Sequence, residues 1–144
     1  MIMPSSTQMY DISVCVLTYH PDYDRLFITL TSVIRQKGCT CEIVIADDGT
    51  PDFRQKEIEA WMAEHDVEDY CIVRSAANAG TVRNALNAYK AAGGRYVKLI
   101  SPGDYLYADT VLAEMMNFMQ SEKYKIAFGR ACYYVVTNGV YQLV

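Results

Sequence analysis

The sequence has 144 residues, the usual size of one domain, and its 51% hydrophobic and 21% charged residues are typical of a globular protein. The net charge of −4 argues against non-specific binding to nucleic acid, which requires a positive surface field, but it permits a small anionic ligand held by a local cation. No apolar run approaches the roughly 20 residues that cross a bilayer, and the first residues lack the basic and apolar segments of a signal peptide. We therefore predict no transmembrane segment, a disordered lead-in over residues 1–10 and a single domain over residues 11–144.

The first predicted elements are a strand and a helix. Ile12–Thr18 is a continuous apolar run, which is typical of a strand buried on both faces of a parallel sheet. Pro21 breaks this run, and Asp22 or Asp24 then caps a helix that we expect to end at Gly38. The apolar residues of this helix recur at helical spacing: Leu26, Phe27, Leu30, Val33 and Ile34.

The second predicted strand, Ile43–Ala46, is followed at once by two carboxylates and a glycine, Asp47, Asp48 and Gly49. Ligands of open α/β sheets bind beyond the carboxyl ends of such strands, and a glycine lets the backbone turn sharply there. This pattern predicts a binding site at the end of the strand. The alternative, a simple turn before a helix cap at Thr50, is equally compatible with this stretch alone.

The next helix is predicted to open at Pro51 and Asp52, with Ile58, Trp61 and Met62 as its buried stripe. The third strand is predicted over Tyr70–Arg74.

A third helix opens at residues 78–81 and ends at Gly93-Gly94. We expect its apolar, buried face to consist of Val82, Ala85, Leu86 and Tyr89. Three polar residues are expected to lie off that face: Arg83, Asn84 and Asn87.

The remaining elements are a strand at Tyr96–Ile100, a helix near Thr110–Gln120 and a fifth strand at Tyr124–Phe128. A hairpin then joins Cys132–Val136 to Val140–Val144 through Asn138-Gly139, since Asn-Gly between apolar alternations is a strong hairpin signal. Strands and helices alternate, which predicts an α/β fold: a mainly parallel, Rossmann-like sheet sandwiched by helices, with a C-terminal β-hairpin.

Polar residues follow each of the four main predicted strands: Thr18-Tyr19-His20, Asp47-Asp48, the loop before Asn78, and Ser101 to Asp104. Because the carboxyl ends of parallel strands share one edge of a sheet, these groups should converge. The two aspartates could accept hydrogen bonds from a nucleobase and a ribose, Tyr19 offers a flat face for a base, and the helix start near Gly80 offers backbone N–H groups to an anion.

Two charged residues have a functional and a purely structural interpretation. Arg83 lies in the first turn of a helix, where a cation does not suit the helix dipole, and this favours an anionic ligand over a solvated surface arginine. Asp104 follows a Pro-Gly turn and could bind a hard cation, or it could simply cap a helix. His20 and His65 form no convincing catalytic constellation, and the glycines fit neither a dinucleotide-binding motif nor a P-loop.

Taken together, the motifs resemble the family-2 glycosyltransferases with a GT-A fold. The matching stretches are Val14–Tyr19, Glu42–Thr50, Asn78–Asn84 and Gly94–Asp104, in the family's order and spacing along residues 12–120. The resemblance implies an inverting transferase that binds a nucleotide-sugar, often a UDP-sugar, with Mn²⁺ or Mg²⁺ on the diphosphate.

The resemblance also implies roles for particular residues. It assigns nucleotide-sugar binding to Thr18, Tyr19, Asp47, Asp48, Asn78, Gly80, Arg83, Ser101 and Gly103. Asp104 is the implied metal ligand, but Ser101 and Gly103 stand where the family usually has aspartates, so metal affinity should be weaker. The family's general base lies further along the chain, so the catalytic residue is unknown and we expect a truncated enzyme with little activity alone.

The leading hypothesis is therefore a donor-binding domain that acts on an unknown saccharide or lipid-linked acceptor in cell-surface polysaccharide synthesis. The five cysteines, mostly in apolar runs, indicate reduced thiols and a cytoplasmic protein, at the inner face of the membrane in its full-length form. The alternative is a non-catalytic α/β nucleotide-binding or protein-interaction module, with a homodimer formed through the Tyr133-Tyr134 to Tyr141 hairpin. A nucleotidyltransferase would need a glycine-rich basic loop after the first strand, and Tyr19-His20-Pro21 does not supply one.

Overall fold

The computed structural model of the protein describes residues 9–144. Its elements are β1 (Tyr10–Thr18), α1 (Tyr23–Ile34), β2 (Cys41–Asp47), α2 (Gln55–Glu64), β3 (Tyr70–Arg74), α3 (Thr81–Ala91), β4 (Gly94–Ile100), α4 (Val111–Ser121), β5 (Tyr134–Thr137) and β6 (Val140–Leu143). The predicted α/β class is confirmed. The lead-in predicted over residues 1–10 falls largely on residues 1–8, which lie outside the described residues, and Tyr10 already belongs to β1.

The main sheet has four parallel strands in the order β3-β2-β1-β4. Strands β1, β2 and β3 end at the same level, because Thr18 lies opposite Asp47 and Asp47 lies opposite Arg74, whereas β4 ends at Ile100, opposite Val16. The central strands β1 and β2 are covered on both faces, which explains why their sequences are almost continuously apolar.

The helices cover both faces of the sheet unequally. Helices α1, α2 and α4 share the larger core on one face, and α3 packs over a smaller core on the other. Strands β1, β2 and β3 follow one another outward in one direction across the sheet, and β4 then lies on the other side of β1. Helix α3 makes this return connection, and because such crossovers are right-handed it lies on the face of the sheet opposite to α1 and α2. This reversal of strand order is where open α/β sheets form a ligand crevice, between the carboxyl ends of β1 and β4.

The buried face of α3 differs from the prediction. Asn84 and Ala88 are its buried residues and Ala92 is buried just beyond its end, whereas Val82 and Leu86 are 77% and 50% exposed. Residues four apart with small side chains allow the helix to approach the sheet closely, so the larger apolar residues point away from it. The expectation that Asn84 lies off the buried face was therefore wrong.

Three predicted boundaries or elements also change. Helix α2 begins at Gln55, because Pro51 and Asp52 form a turn ahead of it, and α1 ends at Ile34 rather than at Gly38. The predicted strand at Tyr124–Phe128 is irregular. A strand needs a partner for its backbone groups, and within residues 9–144 this stretch pairs with none.

The C-terminal hairpin forms with the predicted turn, but its strands are Tyr134–Thr137 and Val140–Leu143 rather than Cys132–Val136 and Val140–Val144. Strands β5 and β6 are antiparallel, with Thr137 opposite Val140. Asn138 and Gly139 connect them with φ angles of 52° and 76°, and two positive φ values are what a tight two-residue hairpin turn requires.

Candidate functional site

Asp47 connects the ends of three strands. Its carboxylate is fully buried; Oδ1 accepts hydrogen bonds from the hydroxyls of Thr18 (3.1 Å) and Thr50 (2.6 Å), and Oδ2 accepts one from the Thr50 N–H (2.8 Å). Arg74 Nε lies 3.7 Å from Oδ2, and the Arg74 guanidinium also donates to the Thr50 carbonyl (3.0 Å). Both carboxylate oxygens of Asp47 are therefore bound inside the protein.

Thr50 also links the loop after β1 to the loop after β2. Its hydroxyl accepts a hydrogen bond from the His20 N–H (2.8 Å), and His20 has a φ of 47°, in the left-handed region. The Tyr19 ring packs edge-on against the His20 ring at 4.4 Å and is 49% exposed. The two loops are thus fixed relative to each other, with a half-exposed aromatic ring at the edge of the sheet.

Asp48 holds the start of α3. Its side chain is 3% exposed; Oδ1 accepts from the Ala79 N–H (2.9 Å) and Oδ2 from the Gly80 N–H (2.8 Å). Gly80 is the N-cap residue of α3, so this carboxylate occupies the position that a helix start offers to an anion. Asn78 and Arg83 are exposed beside it.

Gly49 brings the loops after β2 and β3 together. Its φ is +79°, and a Cβ atom at this position would lie 2.5 Å from the Ala77 carbonyl carbon and 2.8 Å from the Asn78 nitrogen. Only a glycine permits both the conformation and the close approach. The pair Asp48-Gly49 therefore fixes the loop that carries Asn78 and Gly80.

Asn84 ties α3 to the two central strands. Its Nδ2 donates to the Ala46 carbonyl at 2.9 Å and lies 3.4 Å from the Thr18 carbonyl, and the side chain is 3% exposed. These carbonyls lie where β1 and β2 end, so the buried amide has hydrogen-bond acceptors and connects α3 to both strands.

The Ser101–Asp104 turn lies on the other side of β1, at the end of β4. It closes with a hydrogen bond from the Asp104 N–H to the Ser101 carbonyl (3.0 Å). The fully buried Thr29 hydroxyl of α1 accepts from the Gly103 N–H (3.0 Å) and donates to the Asp104 carbonyl (2.7 Å). Tyr134 of β5 donates to the Gly103 carbonyl (2.9 Å). The turn is therefore held from two sides, while Asp104 itself is exposed.

The donor atoms of this turn limit what ion it could hold. Among residues 9–144, no three His, Cys, Asp or Glu side chains come together as a metal site. Asp104 is the one carboxylate of the turn, beside Ser101 and Gly103. Such a set fits Mg²⁺ or Mn²⁺ that takes most of its oxygen ligands from a diphosphate and water, rather than from a protein cage.

The predicted site residues fall into two groups at the same edge of the sheet. One group surrounds the ends of β1 and β2 and the start of α3: Thr18, Tyr19, Asp47, Asp48, Asn78, Gly80 and Arg83. The other group is the turn after β4: Ser101, Gly103 and Asp104. Asp104 borders a cavity of about 460 Å³ beside β4, and a second cavity of about 620 Å³ lies between α1 and residues 105–109. The first group lines neither cavity.

Several residues important to this geometry were not singled out from the sequence, and two of them left a signal. Arg74 ends β3 directly opposite Asp47, so aligning the strand ends would have paired an arginine with the aspartate. Thr29 is a hydroxyl residue within the buried stripe of α1, between Leu26 and Leu30, where an apolar residue would be expected.

The parallel sheet with its reversal of strand order defines a Rossmann-like α/β domain. Its acidic and hydroxyl side chains lie at the carboxyl ends of the strands, where such domains bind their ligands. The chain belongs to glycosyl transferase family 2, whose family model matches residues 13–144. A comparison with curated proteins found no match. No helix within residues 9–144 has both the length and the apolar character needed to cross a membrane.

Solved structures show the same GT-A fold. Residues 1–349 of TarS from S. aureus match with a TM-score of 0.66 and 22% identity over 78% of this chain, and a complex of the same protein with UDP matches equally. A mannosyltransferase from Pyrobaculum calidifontis, PcManGT, in complex with GDP-Man and Mn²⁺, matches with a TM-score of 0.70 and 19% identity over 82% of this chain. The chain spans about a third of the length of these two solved chains, 33% and 34%, and 21% of the longer TarS chain.

Proposed function

We propose that this domain binds the nucleotide-sugar donor, a UDP-sugar, of an inverting glycosyltransferase. The observation that carries the proposal is the reversal of strand order between β1 and β4 in a family-2 chain, because the loop after β1 and the turn after β4 then follow the two strands between which open α/β sheets bind ligands. The similar structures that hold UDP, or GDP-Man with Mn²⁺, support a nucleotide-sugar as the ligand.

Within this proposal, the nucleoside lies over the ends of β1 and β2. The exposed Tyr19 ring stacks on the base. Asp48 is 3% exposed and both of its oxygens accept from Ala79 and Gly80, so it contributes by fixing the start of α3 beside the base and ribose. Thr18 and Asp47 are buried, so they contribute by fixing the strand ends beneath the ligand.

The phosphates lie between the start of α3 and the turn after β4. Asn78 and Arg83 provide an amide and a positive charge on one side, with Gly80 between them in sequence, and Ser101 and Gly103 border the other side. Asp104 holds Mn²⁺ or Mg²⁺ together with the diphosphate. The ion supplies charge neutralisation for the departing nucleoside diphosphate.

Transfer itself requires an acceptor hydroxyl that loses its proton to a base and attacks the anomeric carbon, while the nucleoside diphosphate leaves from the opposite face. We assign no base in this chain. Residues 11–144 are proposed as the donor-binding domain of a longer enzyme, inactive alone, that acts on a saccharide or lipid-linked acceptor in cell-surface polysaccharide synthesis. The cysteines, which form no disulfide within residues 9–144, favour the cytoplasmic side of the membrane.

Calorimetric titration with UDP and UDP-sugars, with and without Mn²⁺, tests the proposal. Loss of a base-stacking ring costs about 1–3 kcal/mol, so Tyr19→Ala should weaken UDP binding by roughly 5- to 150-fold. Tyr124→Ala is the matched control, because Tyr124 is 46% exposed against 49% for Tyr19 and lies after α4. No binding of any nucleotide at millimolar concentration would remove the proposed function.

A second candidate is a non-catalytic α/β module that self-associates through its hairpin. It is favoured by the single carboxylate of the metal turn and by apolar hairpin residues that are exposed: Tyr133 at 74%, Val135 at 51%, Val140 at 57% and Leu143 at 62%. The side chain of Tyr141, named with this hairpin in the sequence prediction, lies outside the described residues. Light scattering after size exclusion separates the candidates, since a homodimer that ignores nucleotides supports the module and a nucleotide-binding monomer excludes it.

A further inference from the structure

We propose that Thr29 and Tyr134 are positioning residues that hold the Ser101–Asp104 turn from two sides, and that the β5–β6 hairpin thereby sets how strongly Mn²⁺ promotes nucleotide binding. The structural half stands on hydrogen bonds alone. The effect on the ligand rests on the proposed function, in which Asp104 faces the diphosphate.

Thr29 binds the turn from the α1 side. Its hydroxyl has one proton to donate, and the Asp104 carbonyl at 2.7 Å is nearer than those of Arg25 (3.2 Å) and Ser101 (3.5 Å). The same oxygen accepts from the Gly103 N–H at 3.0 Å. Since Thr29 is fully buried, no solvent molecule replaces the hydroxyl if it is removed, and the backbone groups of the turn lose their partner.

Two further polar side chains, one on α1 and one just after it, bind the segment that follows the turn. Ser32 accepts from the Leu106 N–H (3.1 Å), and Gln36 accepts from the Leu112 N–H (3.0 Å) and donates to the Ala108 carbonyl (2.7 Å). Thr29 and Ser32 lie three residues apart on the same face of α1, and Gln36 follows just after the helix ends at Ile34. These three side chains bind the irregular segment between β4 and α4, and Thr29 is the one nearest the candidate site.

Tyr134 binds the turn from the hairpin side. Its hydroxyl donates to the Gly103 carbonyl at 2.9 Å, and its ring lies 5.1 Å from the ring of Tyr105, the residue after Asp104. Both hydrogen-bonding groups of Gly103 are therefore bound by side chains, the N–H by Thr29 and the carbonyl by Tyr134. The neighbouring Tyr133 is 74% exposed, so within this pair Tyr134 makes the connection.

The consequence for binding follows from the single carboxylate of the turn. A metal site with several carboxylates can tolerate the displacement of one. In this turn Asp104 is the single carboxylate that could bind the ion, so its position matters more. Affinity then depends on how well the turn is held before the ligand arrives, because ordering a mobile turn consumes binding free energy. Loosening either contact should weaken the Mn²⁺-dependent part of nucleotide binding and leave the Mn²⁺-independent part unchanged.

Tyr134→Phe is the central variant, because it removes one hydroxyl and keeps the ring beside Tyr105. Tyr133→Phe is the matched control on the adjacent residue. Loss of one neutral hydrogen bond predicts about 2- to 12-fold weaker UDP binding in saturating Mn²⁺ for Tyr134→Phe, with no change in metal-free UDP binding and none for Tyr133→Phe. Thr29→Val should have the same effect, and Thr29→Ser, which retains the hydroxyl, should restore the wild-type value.

Amide hydrogen exchange by NMR provides a readout that needs no ligand. The Gly103 amide should exchange faster in Thr29→Val than in Thr29→Ser. The amides of residues 103–105 should exchange about 2- to 12-fold faster in Tyr134→Phe than in Tyr133→Phe. Equal exchange in the two tyrosine variants would overturn the inference. If the wild-type protein binds no nucleotide, the proposed function fails, and the exchange rates alone decide whether the hairpin holds the turn. Altered exchange with unaltered Mn²⁺ dependence in a protein that binds UDP would overturn the half that concerns the ligand.

Discussion

Replacing Asp47 with alanine should destabilise the fold, because this buried carboxylate accepts three hydrogen bonds. In the variant, the Thr18 hydroxyl can still donate a hydrogen bond to the Ala46 carbonyl, 3.3 Å away, and Arg74 can still donate to the Thr50 carbonyl, 3.0 Å away. The N–H and hydroxyl of Thr50 remain without that acceptor. Two hydrogen bonds to a charged group are worth about 1.5–3 kcal/mol each, and removing one partner of a buried charged network costs about 3–5 kcal/mol. We therefore expect Asp47→Ala to lower the free energy of unfolding by about 3–5 kcal/mol.

Urea denaturation followed by Trp61 fluorescence measures this loss, since Trp61 is the single tryptophan, is partly buried against the core, and stacks on Phe27 with 5.6 Å between the ring centroids. Asp47→Asn retains one acceptor oxygen, so its loss should be about half as large, roughly 1.5–3 kcal/mol. Asp52→Ala, in the exposed turn before α2, is the control and should change stability by less than about 0.5 kcal/mol. In a thermal melt, Asp47→Ala should lower Tm by about 6–20 °C.

A loss below about 1 kcal/mol for Asp47→Ala would refute the reasoning, since the hydrogen bonds to Thr50 would then be energetically unimportant. A different outcome would also be informative. If Asp47→Asn kept its stability but lost nucleotide binding, Asp47 would act by direct contact with the ligand, as the sequence pattern suggested, rather than by fixing the strand ends.

Three further predictions test other parts of the structure. Gly49→Ala should cost at least about 1–3 kcal/mol and raise proteolytic cleavage of the following loop, because its Cβ would lie 2.5 Å from the Ala77 carbonyl carbon; a wild-type cleavage pattern would contradict this packing. Burial raises the pKa of the Cys15 thiol in the folded protein from 9.0 to about 12. Below about pH 9 the thiol is protonated in both states, and it does not change the free energy of unfolding. As the pH rises from 9 toward 12, the thiol ionises only in the unfolded chain, which lowers the free energy of unfolding by up to about 1.4 kcal/mol per pH unit. Cys15→Ala should therefore flatten the fall in urea midpoint above pH 9, and an unchanged slope would exclude this thiol. On α3, Leu86→Ser should cost less than about 0.5 kcal/mol while Ala88→Leu costs about 1–3 kcal/mol in urea denaturation, and the reverse order would mean that the helix face is assigned wrongly.

The parts of the fold that depend on local pattern could be predicted from the sequence. Strands β1 and β2 are buried on both faces, so each shows as an unbroken apolar run, and the Asn138-Gly139 turn has a composition that few other structures use. The alternation of strands and helices then predicted a parallel sheet, and it predicted the edge of that sheet at which the polar residues lie.

The missed features depend on distance and volume rather than on local pattern. The face of α3 could not be predicted from hydrophobicity, because Asn84 and Ala88 are buried for their small size and the larger Leu86 is not. The contact between Thr29 and Gly103 joins residues 74 apart in sequence, so the position of Thr29 in the buried stripe of α1 indicates a buried hydroxyl, but its partner follows only from the packing of α1 against the turn after β4. The convergence of Asp48 on Ala79 and Gly80 is of the same kind.

The bond between Asp48 and the start of α3 changes what that helix terminus can contribute to recognition. The backbone N–H groups of Ala79 and Gly80 already interact with a full negative charge, supplied by the chain itself. An incoming phosphate would not gain these two N–H groups, so it must draw on the N–H groups of residues 81–83 in the first turn of α3 and on groups elsewhere along the edge.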